Sequence, residues 1–385
     1  MSRRASSLVV TADDCTGALE TAATCADMGW DAAVTRSGPL PDAACSVLDL
    51  GTRHVGVDVA AARVRHLAER YPVHAHKIDS ALRGNWDVEV MTYVASGRRV
   101  LLIPAHPEAG RTCVGGVVRV HGVPVHRTEH GADPRSSARS SRPATRLEGS
   151  VELAGGAVER WLAGRRSGAP IAVADASTVA EIEHLIGMVH RAGAGVGDSD
   201  SDVLVCGPSA VIRALAGCAG LAAGPALPTL HPPALVVIGS RHRASRDQLE
   251  ALRTGGVPVF EPGGVPDRPG WIAAPTGRVV ALATDPLAAL DPDEAARSLA
   301  AAAHASLAAD AFALGDRFRT VVLVGGDTAG AFIGERPVRV HGTRELGVAQ
   351  GTIEIDGREI AIVAKPGAFG DDGTLVRLMN ELAPA

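Results

Sequence analysis

The 385-residue chain has few aromatic residues, almost no lysine and no cysteine pattern typical of a metal site. Phe, Trp and Tyr make up 3% of the residues and the net charge is −5, which argues against a nucleic acid as partner. Six cysteines occur without a C-x-x-C pair or a zinc-like spacing, so we expect neither a structural zinc ion nor a disulfide framework. The reducing cytoplasm is the expected compartment for such a chain.

No hydrophobic run has the length and uniformity of a signal peptide or a membrane span. The apolar segment near the N-terminus is interrupted by Asp13 and Asp14. The longest apolar-looking stretch, Leu299–Leu314, is rich in alanine and contains His304 and Asp310. We therefore expect a packed helix there and no membrane partner.

Lysine is almost absent, since 36 of the 38 basic residues are arginine and only Lys77 and Lys365 remain. A chain that uses arginine nearly everywhere could keep lysine where a compact point charge is needed. GC-rich codon usage is the alternative explanation. The composition therefore directs attention to two positions without deciding their role.

Short β-branched runs alternate with longer alanine- and leucine-rich segments, which predicts an α/β protein. Amphipathic patterns predict helices at Asp58–Arg70, Val179–Ala192 and Pro292–Gly315. Residues 105–149 show no sustained period. Strands are predicted at Leu8–Thr11, Ala32–Thr35, Val47–Leu50, Val73–Lys77, Val100–Pro104, Ile171–Ala174, Val203–Cys206, Ala234–Ile238, Val257–Phe260, Val279–Leu282 and Val321–Val324.

The length suggests two domains. The segment 216–233 combines small residues with a proline cluster and is the best candidate for a linker. We place the boundary near residue 230, which divides the chain into residues 1–230 and 231–385. Each predicted domain is a mainly parallel sheet flanked by helices.

The string LVVTADDCTG predicts a buried strand that ends in two carboxylates, Asp13 and Asp14, with a helix opening at Thr16 and Gly17. Ligands of open parallel sheets lie beyond the carboxyl ends of the strands, so both carboxylates point at the expected crevice. Asp14 could act as a general base or bind a sugar hydroxyl. Helix capping is the alternative role, although a cap needs only one Asp.

The string HKIDSALRGN follows another predicted strand and combines two cations, a carboxylate, a hydroxyl and an amide: Lys77, Asp79, Ser80, Arg83 and Asn85. Arg83 can bind a carboxylate through two parallel hydrogen bonds, and Lys77 can neutralise a second oxygen. This mixture predicts a site for a small polyhydroxy acid. A surface ion pair between Asp79 and Arg83 is the alternative.

The irregular tract 105–149 is too long for an ordinary connection and is therefore a candidate functional loop. Seven polar residues could reach over a substrate from this tract: Arg111, His121, His126, Arg127, Glu129, His130 and Asp133. The histidine spacings match no helical metal-binding pair, which makes metal binding the weaker interpretation. Solvated loop residues are the alternative for any one of them.

Three predicted strands of the second half run into glycine turns, an arrangement that lets backbone N–H groups approach a phosphate. Asp327 could hold a magnesium ion, and Thr328 could add a hydroxyl to the same turn. For Asp371 and Asp372 a helix cap is favoured over a metal. No Walker A string and no G-x-G-x-x-G string is present. The turns contain Gly239-Ser240, Gly325-Gly326 and Gly367 with Gly370.

Taken together, these strings resemble the four-carbon acid sugar kinase family over essentially the whole chain. The matching strings occur in the family's order: ADDCTGALET, KIDSALRGN, PAHPEAGRT with GVPVHRTEHGADP, IGS, GGDTAG and KPGAFG. The resemblance implies an N-terminal domain that binds the acid sugar, a C-terminal domain that binds ATP and an active site in the cleft between them. It also implies ATP-dependent phosphorylation of the terminal hydroxyl of erythronate, threonate or a 3-oxo-tetronate to the 4-phosphate.

Combining the motifs with this resemblance, we predict that Asp14, Lys77 and Arg83 are catalytic residues. ATP and Mg²⁺ are the expected cofactors, with Asp327 as the metal ligand, and a homodimer is the working hypothesis for the oligomer. Substrate contacts are predicted for Asp13, Asp79, Ser80, Asn85 and Arg111. ATP contacts are predicted for Ser240, Gly325, Gly326, Asp327, Thr328 and Gly367.

The chain also departs from the family pattern on the ATP side. The family usually has Glu and Ser where Asp327 and Ala329 stand, and Ser-Gly-Asn where residues 366–368 read Pro-Gly-Ala. Lost hydroxyl and amide donors favour, as an alternative, a non-catalytic acid-sugar-binding or sensor protein with a degraded ATP site. A dinucleotide-dependent oxidoreductase is a third class, and the missing glycine fingerprint speaks against it.

Overall fold

The computed structural model describes residues 7–36, 39–164, 168–193, 201–261, 279–284, 291–308 and 317–382. The chain divides into two compact units, Met1–Gly224 (unit 1) and Pro225–Ala385 (unit 2). This division falls inside the predicted linker 216–233, a few residues before the boundary predicted near residue 230. Each unit is built from a sheet and helices, so the predicted α/β class is confirmed.

Unit 1 alternates strands and helices along the chain, as its sequence pattern predicts. Its helices are α1 (Cys15–Asp27), α2 (Val57–Arg70), α3 (Trp86–Ala95), α4 (Ala157–Ala163), α5 (Val179–Arg191) and α6 (Ser209–Gly217). Its strands are β1 (Leu8–Ala12), β2 (Ala32–Thr35), β3 (Cys45–Asp49), β4 (Ala75–Lys77), β5 (Arg99–Leu102), β6 (Arg111–Val114), β7 (Val117–Val120), β8 (Val123–Pro124), β9 (Ser150–Leu153), β10 (Ile171–Ala174) and β11 (Val203–Gly207).

The main sheet of unit 1 is parallel, with the strand order β2-β3-β1-β4-β11-β5-β10-β9. Its central strands are buried along their whole length, which explains why they read as continuous apolar runs. From β1 the chain moves to β3 on one side and later to β4 on the other side. The strand order therefore reverses at β1, and open parallel sheets bind ligands in a crevice at such a point, here the carboxyl ends of β3, β1 and β4.

The tract at 105–149 is more regular than its sequence indicates. Strands β6, β7 and β8 form a separate antiparallel sheet, and short 3-10 helices span Pro107–Ala109, Val125–Arg127, Glu129–Ala132 and Pro143–Arg146. Asp175, at the end of β10, accepts hydrogen bonds from Gly115 N at 2.7 Å and Gly116 N at 2.9 Å. This contact ties the β6–β7 turn to the main sheet. Two-to-four-residue strands are too short to produce a readable alternation, which is why the sequence did not predict them.

Unit 2 likewise combines β-strands with helices packed on them. Its helices are α7 (Arg243–Thr254), α8 (Pro292–Ala308), α9 (Gly326–Ile333) and α10 (Thr374–Glu381). Its strands are β12 (Ala234–Ile238), β13 (Val259–Phe260), β14 (Val279–Ala283), β15 (Thr320–Val324), β16 (Val338–Glu345), β17 (Val348–Ile355) and β18 (Arg358–Lys365).

Five strands of unit 2 are parallel in the order β13-β14-β12-β15-β18, and β17 and β16 continue the sheet antiparallel to their neighbours. The sequence did not predict this antiparallel meander. Helix α8 ends at Ala308, whereas the prediction extended to Gly315, and residues 309–316 lie outside the described part of the chain. Among the described residues no helix combines the length and apolar character needed to cross a membrane.

Candidate active site

The crevice of unit 1 brings together charged side chains from the ends of three neighbouring strands. Asp13 and Asp14 follow β1, Arg53 lies four residues beyond β3, Lys77 ends β4, and Asp79 lies two residues beyond β4. Arg53 Nε lies 2.7 Å from Asp13 Oδ2, Arg53 Nη1 lies 2.7 Å from Asp14 Oδ2, and Arg53 Nη2 lies 3.5 Å from Asp79 Oδ1. One guanidinium therefore links three carboxylates. The sequence analysis did not select Arg53, although it is a charged residue a few positions beyond a predicted strand.

The loop that carries Arg53 is held by two residues of the second predicted motif. Asn85 Nδ2 donates to Thr52 O at 2.7 Å and to Val55 O at 2.8 Å. Gly84 adopts a φ of 80°, and a Cβ there would lie 3.0 Å from Arg53 Cγ. Asn85, predicted as a substrate contact, therefore positions the Arg53 loop, because its amide protons are already donated to the backbone.

Asp14 caps helix α1, so the alternative that the sequence left open is realised in the structure. Its Oδ1 accepts from Gly17 N at 2.9 Å, and its Oδ2 accepts from Thr16 Oγ1 at 2.8 Å as well as from Arg53. Burial opposes the charged form, but the charges of Arg53 and Lys77 outweigh it and lower the pKa of Asp14. Capping and a place in the crevice are compatible, because the cap lies at the carboxyl end of β1.

Asp13 differs from Asp14 because burial has the decisive effect on its pKa. It is 1% exposed, and burial raises its pKa against the opposing effects of Arg53 and Lys77. Its Oδ1 is buried and has no hydrogen-bond partner among the described residues, with the Lys77 ammonium 3.7 Å away. The two adjacent carboxylates thus have pKa values shifted in opposite directions.

Lys77 is a buried cation with unused donors. It is 5% exposed, and its Nζ lies 3.7 Å from Asp13 Oδ1 and 3.8 Å from Asp14 Oδ1, both beyond hydrogen-bond distance. No hydrogen bond to Lys77 Nζ exists within the described residues. The two carboxylates outweigh the effect of burial and raise the pKa of Lys77, so the ammonium is charged. A Cβ at Gly17 would lie 2.2 Å from Nζ, so the lysine depends on this glycine for its position.

Arg83 has its guanidinium fork engaged inside the protein. Nε donates to Asp79 Oδ2 at 3.0 Å, Nη2 donates to Asp79 Oδ1 at 2.9 Å, and Nη1 reaches Asp133 Oδ2 at 3.4 Å. Burial raises the pKa of Asp79, but Arg83 and Arg53 outweigh burial and hold it well below its usual value. The expectation of a fork open to a substrate carboxylate is therefore corrected: the Asp79–Arg83 pair forms, in a partly buried loop. Ser80 makes no hydrogen bond through its hydroxyl to any described residue.

A buried polar network lies beneath the crevice and connects β1, β4 and α3. His76 Nε2 is 2.9 Å from Glu89 Oε2, and His76 Nδ1 is 2.9 Å from Thr11 Oγ1. Thr11 Oγ1 is in turn 2.7 Å from the hydroxyl of Tyr93. Because His76 directly precedes Lys77, these hydrogen bonds fix the strand end that presents the lysine.

Arg111 begins β6 and lies near the same charges. Its Nη1 donates to the carbonyl of Ala109, and burial lowers its pKa while Asp79 and Arg83 act on it electrostatically. The electrostatic interactions with Asp79 and Arg83 indicate that Arg111, which the sequence predicted from an irregular tract, lies near the crevice. The turn that follows β5 fixes the position of Arg111, since the backbone of Arg111 pairs with that of His106.

The three glycine turns of unit 2 lie at one edge of its sheet, because β12, β15 and β18 are adjacent and parallel. Gly325 has a φ of 107°, and a Cβ there would lie 3.1 Å from Ser240 Cβ. At Gly367 a Cβ would lie 2.0 Å from Ser240 Oγ. Ser240 therefore occupies the centre of the three turns. Helix α9 starts at Gly326 without a side-chain cap, which leaves its first N–H groups suited to an anion.

Two residues predicted to contact ATP, Asp327 and Thr328, lie at the start of α9; the first is exposed and the second is buried. Asp327 is exposed, while Thr328 is 2% exposed and packs so closely that a Cβ at Gly239 would lie 2.0 Å from its Oγ1. No group of three His, Cys, Asp or Glu side chains that could hold a metal exists among the described residues. A magnesium ion that arrives with ATP needs only one or two carboxylates, since phosphate and water oxygens complete its shell, and Asp327 fits that role.

Lys365 directs its ammonium into one of the three glycine turns, the turn that contains Gly367. It is fully buried, and its Nζ donates to Pro366 O at 2.9 Å and to Phe369 O at 2.7 Å. Burial lowers the pKa of Lys365 to about 8. The ammonium of Lys365 therefore stabilises the turn at residues 366–369 by binding its carbonyl groups. It is not the free point charge that the composition suggested.

Known proteins resemble this chain in sequence and in fold. The model of a family described as a sugar-binding N-terminal domain matches residues 8–215. A D-threonate kinase of Bordetella bronchiseptica is 32% identical over 96% of this chain and 95% of its own length, and a D-erythronate kinase of Heliobacterium modesticaldum is 27% identical over half of each chain. A solved structure from Salmonella typhimurium covers 98% of this chain and 100% of its own, with a TM-score of 0.74 and 18% identity.

Proposed function

Because the chain belongs to the four-carbon acid sugar kinase family, we propose that it transfers the γ-phosphoryl group of ATP to the terminal hydroxyl of such a sugar. The product would be the 4-phosphate of threonate, erythronate or a 3-oxo-tetronate. D-threonate is the first candidate, because the full-length relative from Bordetella bronchiseptica is named for it.

The observation that carries this proposal is the state of Lys77. A charged ammonium that is 95% buried and makes no hydrogen bond within the described residues needs anionic or hydroxyl oxygens from a ligand. An acid sugar supplies both through its carboxylate and its hydroxyl groups. Ser80, whose hydroxyl has no described partner, offers a further contact in the same motif.

Of the remaining residues on the substrate side, some would contact the substrate and others hold those residues in position. Asp14 is ionised and sits at the crevice, so it can accept the proton of the attacking hydroxyl, as the sequence predicts. Asp13 is 1% exposed and paired with Arg53, whereas the side chain of Asp14 is 13% exposed, and Asp79 and Arg83 pair with each other. We therefore assign Asp13, Asp79 and Arg83 to holding the charges of the crevice in position. Phosphoryl transfer depends mostly on such positioning and on charge neutralisation.

On the nucleotide side, the edge formed by Ser240, Gly325 and Gly367 and the uncapped start of α9 support phosphate binding. ATP supplies the phosphoryl group, and its magnesium ion neutralises charge on the phosphates. Asp327 would hold that ion together with phosphate and water oxygens. The residues present fit this role, although Ala329 and Pro366 lack the donors that the family usually has there.

A coupled assay of ADP release tests the proposal directly. The purified chain, ATP and Mg²⁺ are combined with the D and L forms of threonate and erythronate and with 3-oxo-tetronates. We expect one of them to raise ADP release far above the background without sugar. Binding of an acid sugar without ADP release from any of them would instead support the non-catalytic sensor.

The role of Asp14 has its own test at saturating ATP and substrate. Asp14→Asn keeps the cap geometry but cannot accept a proton, so kcat should fall about 100-fold or more. The exposed Asp42 serves as control, and Asp42→Asn should leave kcat unchanged. Near-normal turnover by Asp14→Asn would remove Asp14 as the base.

A further inference from the structure

Two buried histidines, His106 and His130, lie at the crevice without an assigned role. His106 is 3% exposed and His130 is 5% exposed. The backbone of each is fixed: His106 N donates to Arg111 O at 2.8 Å, and His130 O accepts from Ala138 N at 2.8 Å. Their ring positions are therefore set by the fold rather than by solvent.

The rings of both histidines lack partners. Within the described residues neither nitrogen of either imidazole makes a hydrogen bond, and yet none of these atoms is sealed completely from solvent. Polar groups inside folded proteins are nearly always hydrogen-bonded, and solvent can still reach these ring nitrogens, so they are available to the hydrogen-bonding groups of a ligand. Each ring is more than nine-tenths buried, which distinguishes it from an ordinary surface histidine.

The charged groups around the two rings are those of the crevice. His106 interacts electrostatically with Glu20, Arg111, Glu108 and Lys77. His130 interacts with Arg83, Asp79, Arg111 and Glu129. Both histidines therefore lie near the substrate motif, to which the tract 105–149 is also joined by the contact of Asp133 Oδ2 with Arg83 Nη1 at 3.4 Å.

Both imidazoles are uncharged near neutral pH. Burial lowers the pKa of His106 and of His130, and nearby Arg111 acts in the same direction on both. A neutral imidazole has one donor nitrogen and one acceptor nitrogen. Apart from the Ser80 hydroxyl and the engaged side chains of Thr16 and Asn85, the other crevice groups are carboxylates that only accept, or cations that only donate, and most of them are paired with each other. The two rings are thus the groups best matched to a hydroxyl, which both donates and accepts.

We propose that His106 and His130 bind the secondary hydroxyl groups of the acid sugar and make the site reject acids that lack them. The inference rests on the proposed function and names the part of the substrate that these residues recognise. The carboxylate and the terminal hydroxyl remain assigned to the Lys77 and Asp14 side of the crevice.

The test compares two substrates, D-threonate and 4-hydroxybutanoate, which share the carboxylate and the terminal hydroxyl. The second lacks both secondary hydroxyls. Because a site built to hydrogen-bond a hydroxyl rejects the analogue without it, the wild type should prefer D-threonate by roughly 1000-fold or more in kcat/KM. The same ranking should appear in calorimetric binding without ATP.

The variants His106→Ala and His130→Ala should each lose about 10- to 100-fold in kcat/KM for D-threonate, while the value for 4-hydroxybutanoate changes by less than about threefold. His106→Asn and His130→Asn retain a donor and an acceptor, so they should recover part of the preference. His184→Ala is the control and should leave both kcat/KM values unchanged, since His184 is exposed on α5.

Equal losses for both substrates in the alanine variants, or no loss for either, would overturn the inference. A wild type that phosphorylates D-threonate and 4-hydroxybutanoate equally well would overturn it while the proposed function stands. A wild type that neither binds nor phosphorylates any four-carbon acid sugar would overturn both. If an alanine variant fails to fold, His106→Leu or His130→Leu takes its place with the same expectation, because leucine fills much of the volume of the ring without a hydrogen-bonding atom.

Discussion

The two lysines show how residues of one type differ in their surroundings. Lys77 has an ammonium that faces two carboxylates without a hydrogen bond, whereas the ammonium of Lys365 donates to two carbonyl oxygens of its own turn. The first is available to a ligand and the second is part of the structure. A compositional bias can mark both positions, but only the neighbouring atoms distinguish their roles.

Replacing Lys77 by arginine should impair the enzyme although the charge is kept. The amine lies directly over Gly17, where a planar guanidinium does not fit without displacing Asp14. We expect kcat/KM for the acid sugar to fall at least about tenfold, measured at saturating ATP. Arg243→Lys is the control, because Arg243 is 86% exposed. Unchanged kinetics in Lys77→Arg would contradict a role in binding the sugar.

Lys365 should make stability depend on pH in the alkaline range. Its pKa is about 8 in the folded chain and 10.5 ordinarily, so between these values the unfolded chain binds more protons and stability rises with pH. The unfolding free energy of the wild type minus that of Lys365→Met should therefore increase, by up to about 3 kcal/mol, between pH 7.5 and 10. Urea denaturation of both proteins measures it. A constant difference would show that the amine is not desolvated.

At the level of elements, the turn after β18 is held rigidly by helix α7. Ser245 Oγ donates to Gly367 O at 2.7 Å, and Gln248 Nε2 donates to Phe369 O at 3.1 Å and to Asp371 O at 2.8 Å. Together with Lys365 these bonds satisfy the carbonyl groups of the turn. The backbone near Ser240 is therefore preorganised, which reduces the ordering that phosphate binding would require.

The substitution Gly367→Ala tests whether this turn serves ATP. A Cβ would lie 2.0 Å from Ser240 Oγ and must push the serine or the turn aside. We expect the KM for ATP to rise about tenfold or more while the KM for the acid sugar changes little. Gly168→Ala is the control, because a Cβ there meets no atom within 4 Å. Equal changes in both KM values would indicate general damage instead of an ATP-side effect.

At the level of the whole molecule, the two units carry different kinds of site. Unit 1 has a crevice of paired charges at a strand-order reversal, and unit 2 has glycine turns at the ends of three adjacent parallel strands. The first suits a small, charged, hydroxylated ligand, and the second suits phosphate groups. This division agrees with the assignment of sugar to the first half and nucleotide to the second half.

Hydrogen exchange on the intact chain should show that the two ligands protect different segments. D-threonate alone should slow exchange in segments 8–17, 52–55 and 76–85, because it would order the crevice. ATP with Mg²⁺ should instead slow exchange in segments 239–245, 325–333 and 365–370. Mass spectrometry of peptides measures both patterns, with α5 (Val179–Arg191) as an internal reference that neither ligand should affect. Protection of the unit 1 segments by ATP alone would contradict the division.

The sequence by itself determined what depends on neighbouring residues along the chain. Strands such as Ala32–Thr35, Ile171–Ala174 and Ala234–Ile238 were predicted with their observed bounds, because buried parallel strands are continuous apolar runs. The polar residues that follow β1 and β4 were identified for the same reason. A carboxylate or a glycine directly after such a run is visible without knowing the fold.

The tertiary structure decided which of these residues meet. Arg53, His106 and His130 come to the crevice because β3 lies beside β1 and because the tract 105–149 folds back, and neither event leaves a local pattern. The same applies to Arg83, whose fork is engaged by Asp79 and Asp133, a residue 50 positions away. Strand order and through-space pairing are properties of the packed sheet, so the sequence indicated the chemistry of the site, and the fold selected its members.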